Sequence, residues 1–272
     1  MELSESEIER YSRHILLDEV GGAGQARLAA ARVLVVGAGG LGSPLVLYLA
    51  AAGIGTIGIV DDDVVELSNL QRQVAHSTAR LGMRKADSAA AAAHAINPGV
   101  RLEAHVARLD AANAMALVGS HDIVCDGTDN FATRFLLADA CHLAGRPLVS
   151  AAVLRFEAQL SVFRSHLGAP HPCYRCLHPE PPPAGLVPSC AEAGVLGAVT
   201  GVAGTLQATE VLKLVLGIGA ALDGRLLLWD ALGGAFRTVR LARDPACRLC
   251  GAGAAIRDLA AHAGSARICG PA

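Results

Sequence analysis

Short apolar runs alternate with longer stretches of mixed polarity through the first 150 residues. Arg32–Val36 is β-branched and apolar, predicts a strand, and leads directly into Gly37-Ala38-Gly39-Gly40-Leu41-Gly42. The run from 41 to 52 is long enough for a buried helix. A second strand is predicted over Thr56–Val60, ending on Asp61-Asp62-Asp63. The same rhythm predicts helices over 84–95, 111–118 and 131–144 and strands over 101–106, 122–125 and 147–153. Upstream, Ser4-Glu5-Ser6-Glu7 has the form of a capping box and predicts a helix over 4–16, which Gly21, Gly22 and Gly24 should end. Strands alternating with helices imply a mostly parallel sheet covered on both faces, a Rossmann-like α/β fold.

After residue 153 the rhythm changes. Segments 156–163, 225–230 and 235–241 read as strands without intervening helices, an antiparallel continuation of the sheet. The apolar stretch 195–222 is interrupted by Thr200, Thr205, Gln207, Thr209, Glu210 and Lys213, and so reads as a buried helix with a polar edge, not a membrane span. A loop rich in Pro and Cys, 166–188, separates the two regimes. The expected organisation is one continuous domain with a nucleotide-binding half, 1–153, and a polypeptide-binding half, 154–272. The alanine-rich run 89–95 is helix former, and the tail beyond Gly251 carries no readable signal.

Composition narrows the function. The 272 residues are 52% hydrophobic, enough for a sizeable core. A net charge of −2 leaves no basic field for nucleic acid or an anionic membrane. The N-terminus is charged where a signal peptide would be apolar, so a cytoplasmic location is expected. Eight cysteines in that compartment are expected as thiols. Cys125 and Cys141 lie in apolar segments and read as core.

Gly37, Gly39 and Gly42 follow a strand and open a helix, the context in which a G-x-G-x-x-G pattern acquires meaning. Glycines allow close approach to a phosphate or ribose, and the helix start supplies free N–H groups. Asp61 lies 19 residues after Gly42 at the end of the next strand, where a carboxylate can accept hydrogen bonds from ribose hydroxyls. So far an NAD-dependent oxidoreductase fits equally well. What separates the two is Ser68-Asn69-Leu70-Gln71-Arg72-Gln73, then Lys85, then Asp126-Gly127-Thr128-Asp129-Asn130. An adenylating site must hold a triphosphate with cations, bind Mg²⁺ through a carboxylate and orient an incoming carboxylate. Arg72, Lys85 and Asp129 supply those charges on loops after successive strands. Each alone would be an ordinary solvated charge.

Cys173-Tyr174-Arg175-Cys176 and Cys247-Arg248-Leu249-Cys250 form two C-x-x-C pairs, the usual makings of a tetrahedral Cys₄ zinc site. Seventy residues separate them, which points to a clip between distant segments. A thioredoxin-type redox pair would follow a strand and open a helix, and neither pair is expected to. His171 and His178 flank the first pair as exposed or supporting residues. Cys190 sits in a loop 14 residues after Cys176, either a nucleophile or a bystander. Cys269 in the tail has no partner spacing.

These motifs together resemble the ThiF/MoeB/HesA family, bacterial relatives of ubiquitin-activating enzymes. The resemblance runs from Arg10-Tyr11-Ser12-Arg13 through the glycine loop, Asp61, Ser68 to Gln73, Lys85 and Asp129-Asn130 to both C-x-x-C pairs. It implies that Gly40 and Asp61 hold the adenosine and ribose of ATP, with Asp63 and Asn130 at the same site. Arg72, Gln73 and Lys85 would contact phosphates or the reacting carboxylate, and Asp129 would bind Mg²⁺. It also implies a homodimer in which Arg13 enters the neighbouring subunit's site. Some family members use the cysteine matching Cys190 for a covalent link to the carrier protein. The expected reaction is adenylation of the C-terminal Gly-Gly carboxylate of a ubiquitin-like sulfur carrier, for later thiocarboxylate formation in molybdopterin, thiamine or related metabolism. Several relatives continue into a sulfur-transfer domain, so a separate sulfur donor is expected here. A non-catalytic binding partner would not need Arg72, Lys85 and Asp129 intact. Adenylation of a tRNA base sits poorly with the near-neutral charge, and a peptide substrate stays open.

Overall fold

The computed structural model describes residues 3–183 and 193–263. Eight strands form one sheet in the order β3-β2-β1-β4-β5-β6-β7-β8. The strands are β1 Arg32–Val36, β2 Thr56–Val60, β3 Arg101–His105, β4 Ile123–Asp126, β5 Leu148–Leu154, β6 Glu157–Phe163, β7 Arg225–Asp230 and β8 Ala235–Arg240. Pairing is parallel from β3 to β5 and antiparallel from β5 to β8. Five parallel strands continued by an antiparallel meander is the Rossmann-like α/β arrangement that the change of rhythm near residue 153 predicts.

Successive side chains of a strand face opposite ways, so the sheet separates two cores. Val33, Val35, Ile57, Ile59 and Val149 point to one face, beneath α3 Gly21–Ala30, α4 Gly42–Ala52, α5 Lys85–Ile96 and α9 Gly197–Leu216. Leu34, Val36, Val124 and Leu148 point to the other, beneath α6 Ala114–Gly119 and α7 Phe131–Leu143. β1 is buried on both sides, which explains its unbroken apolar run. The apolar helix α9 is long enough to cross a membrane by length and composition. It packs instead on α4, β5 and β6, and its polar edge enters the sheet, where Gln207 donates to the backbone carbonyls of Asp126 and Val149.

Two local expectations are corrected. The first helix is divided into α1 Glu5–Arg10 and α2 Ser12–Ile15 at Tyr11. Tyr11 is pinned: its hydroxyl accepts from Asn97 Nδ2 at 2.7 Å, and its ring lies against Gly53, where an added Cβ would stand 2.5 Å away. The capping box at Ser4 and Glu7 is present as read. Gly21, Gly22 and Gly24 do not end a helix; they open α3. Gly24 is required for packing, since a Cβ there would lie 3.0 Å from both Val20 and Leu216. Smaller shifts have local causes. The helix expected from 111 starts at 114 because Asp110 and Asn113 close a turn on each other's backbone N–H groups. The 166–188 loop contains a four-residue helix, α8 Tyr174–Leu177, and its last residues lie outside the described ones.

Candidate active site and thiol cluster

Strand order reverses between β1 and β4, and an open α/β sheet binds ligands beyond the carboxyl ends of its strands at such a point. A cleft of about 620 Å³ lies there. It is lined by Gly37, Gly39 and Gly40 after β1, Asp61, Asp62 and Asp63 after β2, Arg108 after β3, and Thr128, Asp129 and Asn130 after β4. Asn69, Arg72, Gln73, Lys85, Arg134 and Thr200 are also in its lining.

The glycine loop must be glycine where the chain doubles back on itself. Gly37 has φ +93°, and a Cβ there would meet the Gly127 carbonyl oxygen at 2.8 Å. A Cβ at Gly42 would overlap the Gly37 carbonyl at 1.8 Å, so Gly42 shapes the turn and does not line the cleft. Gly39 is different: the nearest atom to a Cβ there is Gln73 Nε2, at 3.7 Å. Its missing side chain leaves room for a ligand.

Asp61 is tied to that loop, its Oδ2 accepting from Ala38 N–H at 2.8 Å and its Oδ1 from Asp63 N–H at 2.9 Å. Burial pushes its carboxyl above the usual range, against these two hydrogen bonds and the nearby Lys85. Lys85, the first residue of α5, is buried, and its Nζ lies 2.8 Å from the exposed Asp63 Oδ2. Arg72 is braced by donation from Nη1 to the Ser68 carbonyl at 3.0 Å. Gln73 is buried with its Oε1 unpartnered among the described residues. Asn130 caps α7 by accepting from Thr133 N–H.

Of the residues read from sequence, the cleft brings together Gly37, Gly39, Gly40, Asp61, Asp63, Asn69, Arg72, Gln73, Lys85, Asp129 and Asn130. Ser68, Leu70 and Gln71 are not among its lining. Their segment seats against the first residue of α9, where a Cβ on Gly197 would meet the Gln71 carbonyl at 2.2 Å. Arg13 is exposed on α2 and lies outside the cleft. Cys190 and Cys269 lie outside the described residues. Asp129 is exposed and stands apart from the three carboxylates, Asp61, Asp62 and Asp63, whose oxygens come within 4.8 Å of one another.

Arg108, Arg134 and Thr200 were not read from the sequence as site residues, and Asp126 and Thr128 were read only as members of the segment 126–130, without a role. Within that segment Asp126 is a buried anchor. Asp126 accepts from Thr128 N–H and Oγ1–H and from Ser150 Oγ–H, at 2.7 to 3.0 Å, which fixes the turn before Asp129. Arg134 braces the same turn through Nη2 to the Thr128 carbonyl, at 2.6 Å. An arginine one turn into the helix after a strand-end acidic loop was the available signal.

Farther along the sheet, the sulfurs of Cys173, Cys176, Cys247 and Cys250 all lie within 4.8 Å of one another, with contacts of 3.4, 3.5 and 3.7 Å. Tetrahedral zinc with 2.3 Å bonds needs sulfurs about 3.8 Å apart, so the set fits that ion. Contacts with Cys176 and Cys250 push the Cys173 thiol well up, so four thiolates would need a compensating cation. The Asp244 N–H also points at Cys176 Sγ, 3.4 Å away, as expected of a metal-binding knuckle. Cys173 does precede the short helix α8, but it follows a loop and not a strand. Between the cysteines, Arg175 forms a two-pronged ion pair with Asp139 of α7, at 2.7 and 2.8 Å. His262 Nε2 reaches the same carboxylate at 2.8 Å. Although burial opposes it, Arg175 and then His262 hold Asp139 below the usual carboxylate range. His171 pairs with Asp223, and His178 packs on Tyr174.

The ThiF family model matches residues 11–249. The chain is 57% identical over 258 residues to the adenylyltransferase and sulfurtransferase MOCS3 of Bos taurus, covering 94% of this chain but 56% of that protein. It is 51% identical to the SAMP-activating enzyme E1 of Haloferax volcanii, covering 93% and 92% of the two chains. Identity to the sulfur carrier protein adenylyltransferase of Thermus thermophilus is 49%, covering 92% and 93%. Among solved structures, E. coli MccB with MccA-N7isoASN superposes with a TM-score of 0.77 at 22% identity, covering 89% of this chain and 74% of that one, a likeness of fold. With a family match across most of its length and relatives of this identity, the chain belongs to the ThiF family.

Proposed function

We propose that this protein is an ATP-dependent adenylyltransferase that activates the C-terminal Gly-Gly carboxylate of a ubiquitin-like sulfur-carrier protein. The observation that carries the reading is the convergence of Arg72, Lys85 and Asp129 with the glycine loop in one cleft at the strand-order reversal. A dinucleotide oxidoreductase would need the loop and Asp61 but not this set of charges. The 51% and 49% identical relatives, an activating enzyme and a sulfur carrier protein adenylyltransferase, support the same chemistry.

In this reading the adenosine lies over Gly39 and Gly40, and each Asp61 oxygen keeps a lone pair free for a ribose hydroxyl. Arg72 and Lys85 face the phosphates, where fixed cations stabilise charge that develops as the reaction proceeds. The carrier carboxylate oxygen forms a bond to the α-phosphorus as the bond to the β-phosphate oxygen breaks, releasing pyrophosphate. Asp129 is the residue that would hold Mg²⁺, which when bound would neutralise phosphate charge. The Cys₄ set would hold structural zinc. The segment 154–272 would contribute the carrier-binding surface, a separate protein the sulfur, and a second copy of the chain the Arg13 cation. A cytoplasmic setting is consistent with four free thiols grouped as metal ligands.

Pyrophosphate exchange into ATP tests the proposal, measured with and without a carrier ending in Gly-Gly, for the wild type and Asp129→Ala. Carrier-dependent exchange that falls on the order of a hundredfold or more in the variant supports it. No exchange with any of several carriers would remove it.

A further inference from the structure

His76 belongs to none of the roles assigned above, and it is buried beside the cleft. Its Nε2 lies 2.9 Å from the carbonyl oxygen of Ala38, the residue between Gly37 and Gly39. Its Nδ1 lies 2.9 Å from Ser88 Oγ on α5, three residues after Lys85. A carbonyl only accepts, so Nε2 carries the proton and, in the neutral ring, Nδ1 accepts from the Ser88 hydroxyl. The contacts close a circuit. Ala38 N–H donates to Asp61, Asp61 accepts from Asp63 N–H, and the Asp63 carboxylate meets Lys85 Nζ. Helix α5 then leads from Lys85 to Ser88, and His76 returns to Ala38. The ring therefore joins the loop that would hold the nucleotide to the helix that carries the phosphate cation.

We propose that His76 is a positioning residue of the adenylation site: as the neutral Nε2–H tautomer it sets the distance between the glycine loop and Lys85. The proposal rests on the adenylation reading for its kinetic consequence, whereas the tautomer and the tie do not. The surroundings favour the neutral ring. Burial lowers its proton affinity first, with Lys85 at the start of α5 and Arg80 in the turn before it adding positive charge, against the Ala38 hydrogen bond.

Two measurements test it. Nitrogen-15 spectra of the imidazole should show a protonated Nε2 and an unprotonated Nδ1 at neutral pH, and in Ser88→Ala the Nδ1 resonance should shift. In pyrophosphate exchange, His76→Gln, whose amide nitrogen can take the Nε2 place, should retain most activity. His76→Phe fills the volume without either hydrogen bond and should lower kcat on the order of 10–100-fold with a raised KM for ATP, the range that a displacement of about 1 Å in a reacting group produces. Loss of the two buried hydrogen bonds should lower its melting temperature by only several degrees, leaving it folded at the assay temperature. If His76→Phe does not fold, Ser88→Ala carries the kinetic test, with a few-fold loss expected. A folded His76→Phe with wild-type kcat and KM, or an Nδ1–H ring, would overturn the proposal. Absent exchange in the wild type itself would strike the adenylation reading instead, and the ring spectrum together with calorimetric ATP binding would still decide the tie.

Discussion

Asp61 has two backbone donors fixed on its carboxylate and burial working against its charge. Because its folded pKa is raised, the native state binds the proton more readily than the unfolded chain. Stability therefore falls as pH rises from 3.8 to the raised value, and the remaining penalty persists at neutral pH. A residue that costs stability in this way is retained for another reason, and hydroxyl recognition supplies one. ATP affinity, measured by calorimetry, should weaken on the acid side with an inflection above 3.8, where Asp61 takes up its proton. Asp61→Asn should bind ATP at least about tenfold more weakly at neutral pH and lose that inflection. An unchanged acid limb in the variant would show that another group titrates there. Asp61, Arg72, Lys85 and Asp129 were legible in the sequence because each is a charge just past a strand or turn signal. Ser150 and His76 were not, and Asp126 was legible only as part of its segment: their meaning comes from partners up to 38 positions away, and a lone buried polar residue gives no periodic signature.

The same distinction holds for the secondary-structure elements. Strands β1 and β2 announce themselves, being apolar on both faces between glycine-rich turns. Helix α3 does not, because three of its first four residues are glycines, which read locally as breakers. Contact with Val20 and with Leu216 of α9 overrides that propensity. Helix α9 makes a similar approach to α4, where a Cβ on Gly204 would stand 2.4 Å from the Leu41 carbonyl. The two cysteine knuckles were legible from spacing, but the structure adds what they fasten. Arg175 joins the first knuckle to α7 through Asp139, and the residues just beyond the second return through His262 to the same carboxylate. Zinc here would close a loop of 70-odd residues, worth about 4 kcal/mol if its chain entropy resembles that of a cross-link of that length. At about 2–4 °C per kcal/mol for a chain of this size, chelation under reducing conditions should lower the melting temperature by roughly 10 °C. Calorimetry with metal analysis measures this, and zinc but not magnesium should restore it. A melting temperature indifferent to zinc would mean that the four thiols are held by packing alone.

At the scale of the whole molecule, the cleft proposed to bind ATP is lined without the arginine that the family resemblance places at the phosphates. Arg13 is exposed on α2, outside the cleft lining, and Leu16 and Leu17 beside it are 71% and 51% exposed. Neighbouring apolar side chains of that exposure are what a second subunit would cover. If Arg13 acts across a two-fold interface, each active site is built from two chains and the defects of two inactive variants are separable. Arg13→Ala and Asp129→Ala should each abolish carrier-dependent exchange as pure proteins. Co-expressed, they should form mixed dimers in which one site has both defects and the other has neither. With random pairing, half the dimers are mixed and half their sites are intact, so about a quarter of wild-type activity should return. If Arg13 served its own chain's cleft, every site in a mixed dimer would keep one defect and activity would stay absent. Recovery near a quarter places Arg13 in the partner's cleft, and no recovery in a sample shown by sedimentation to be dimeric returns it to its own.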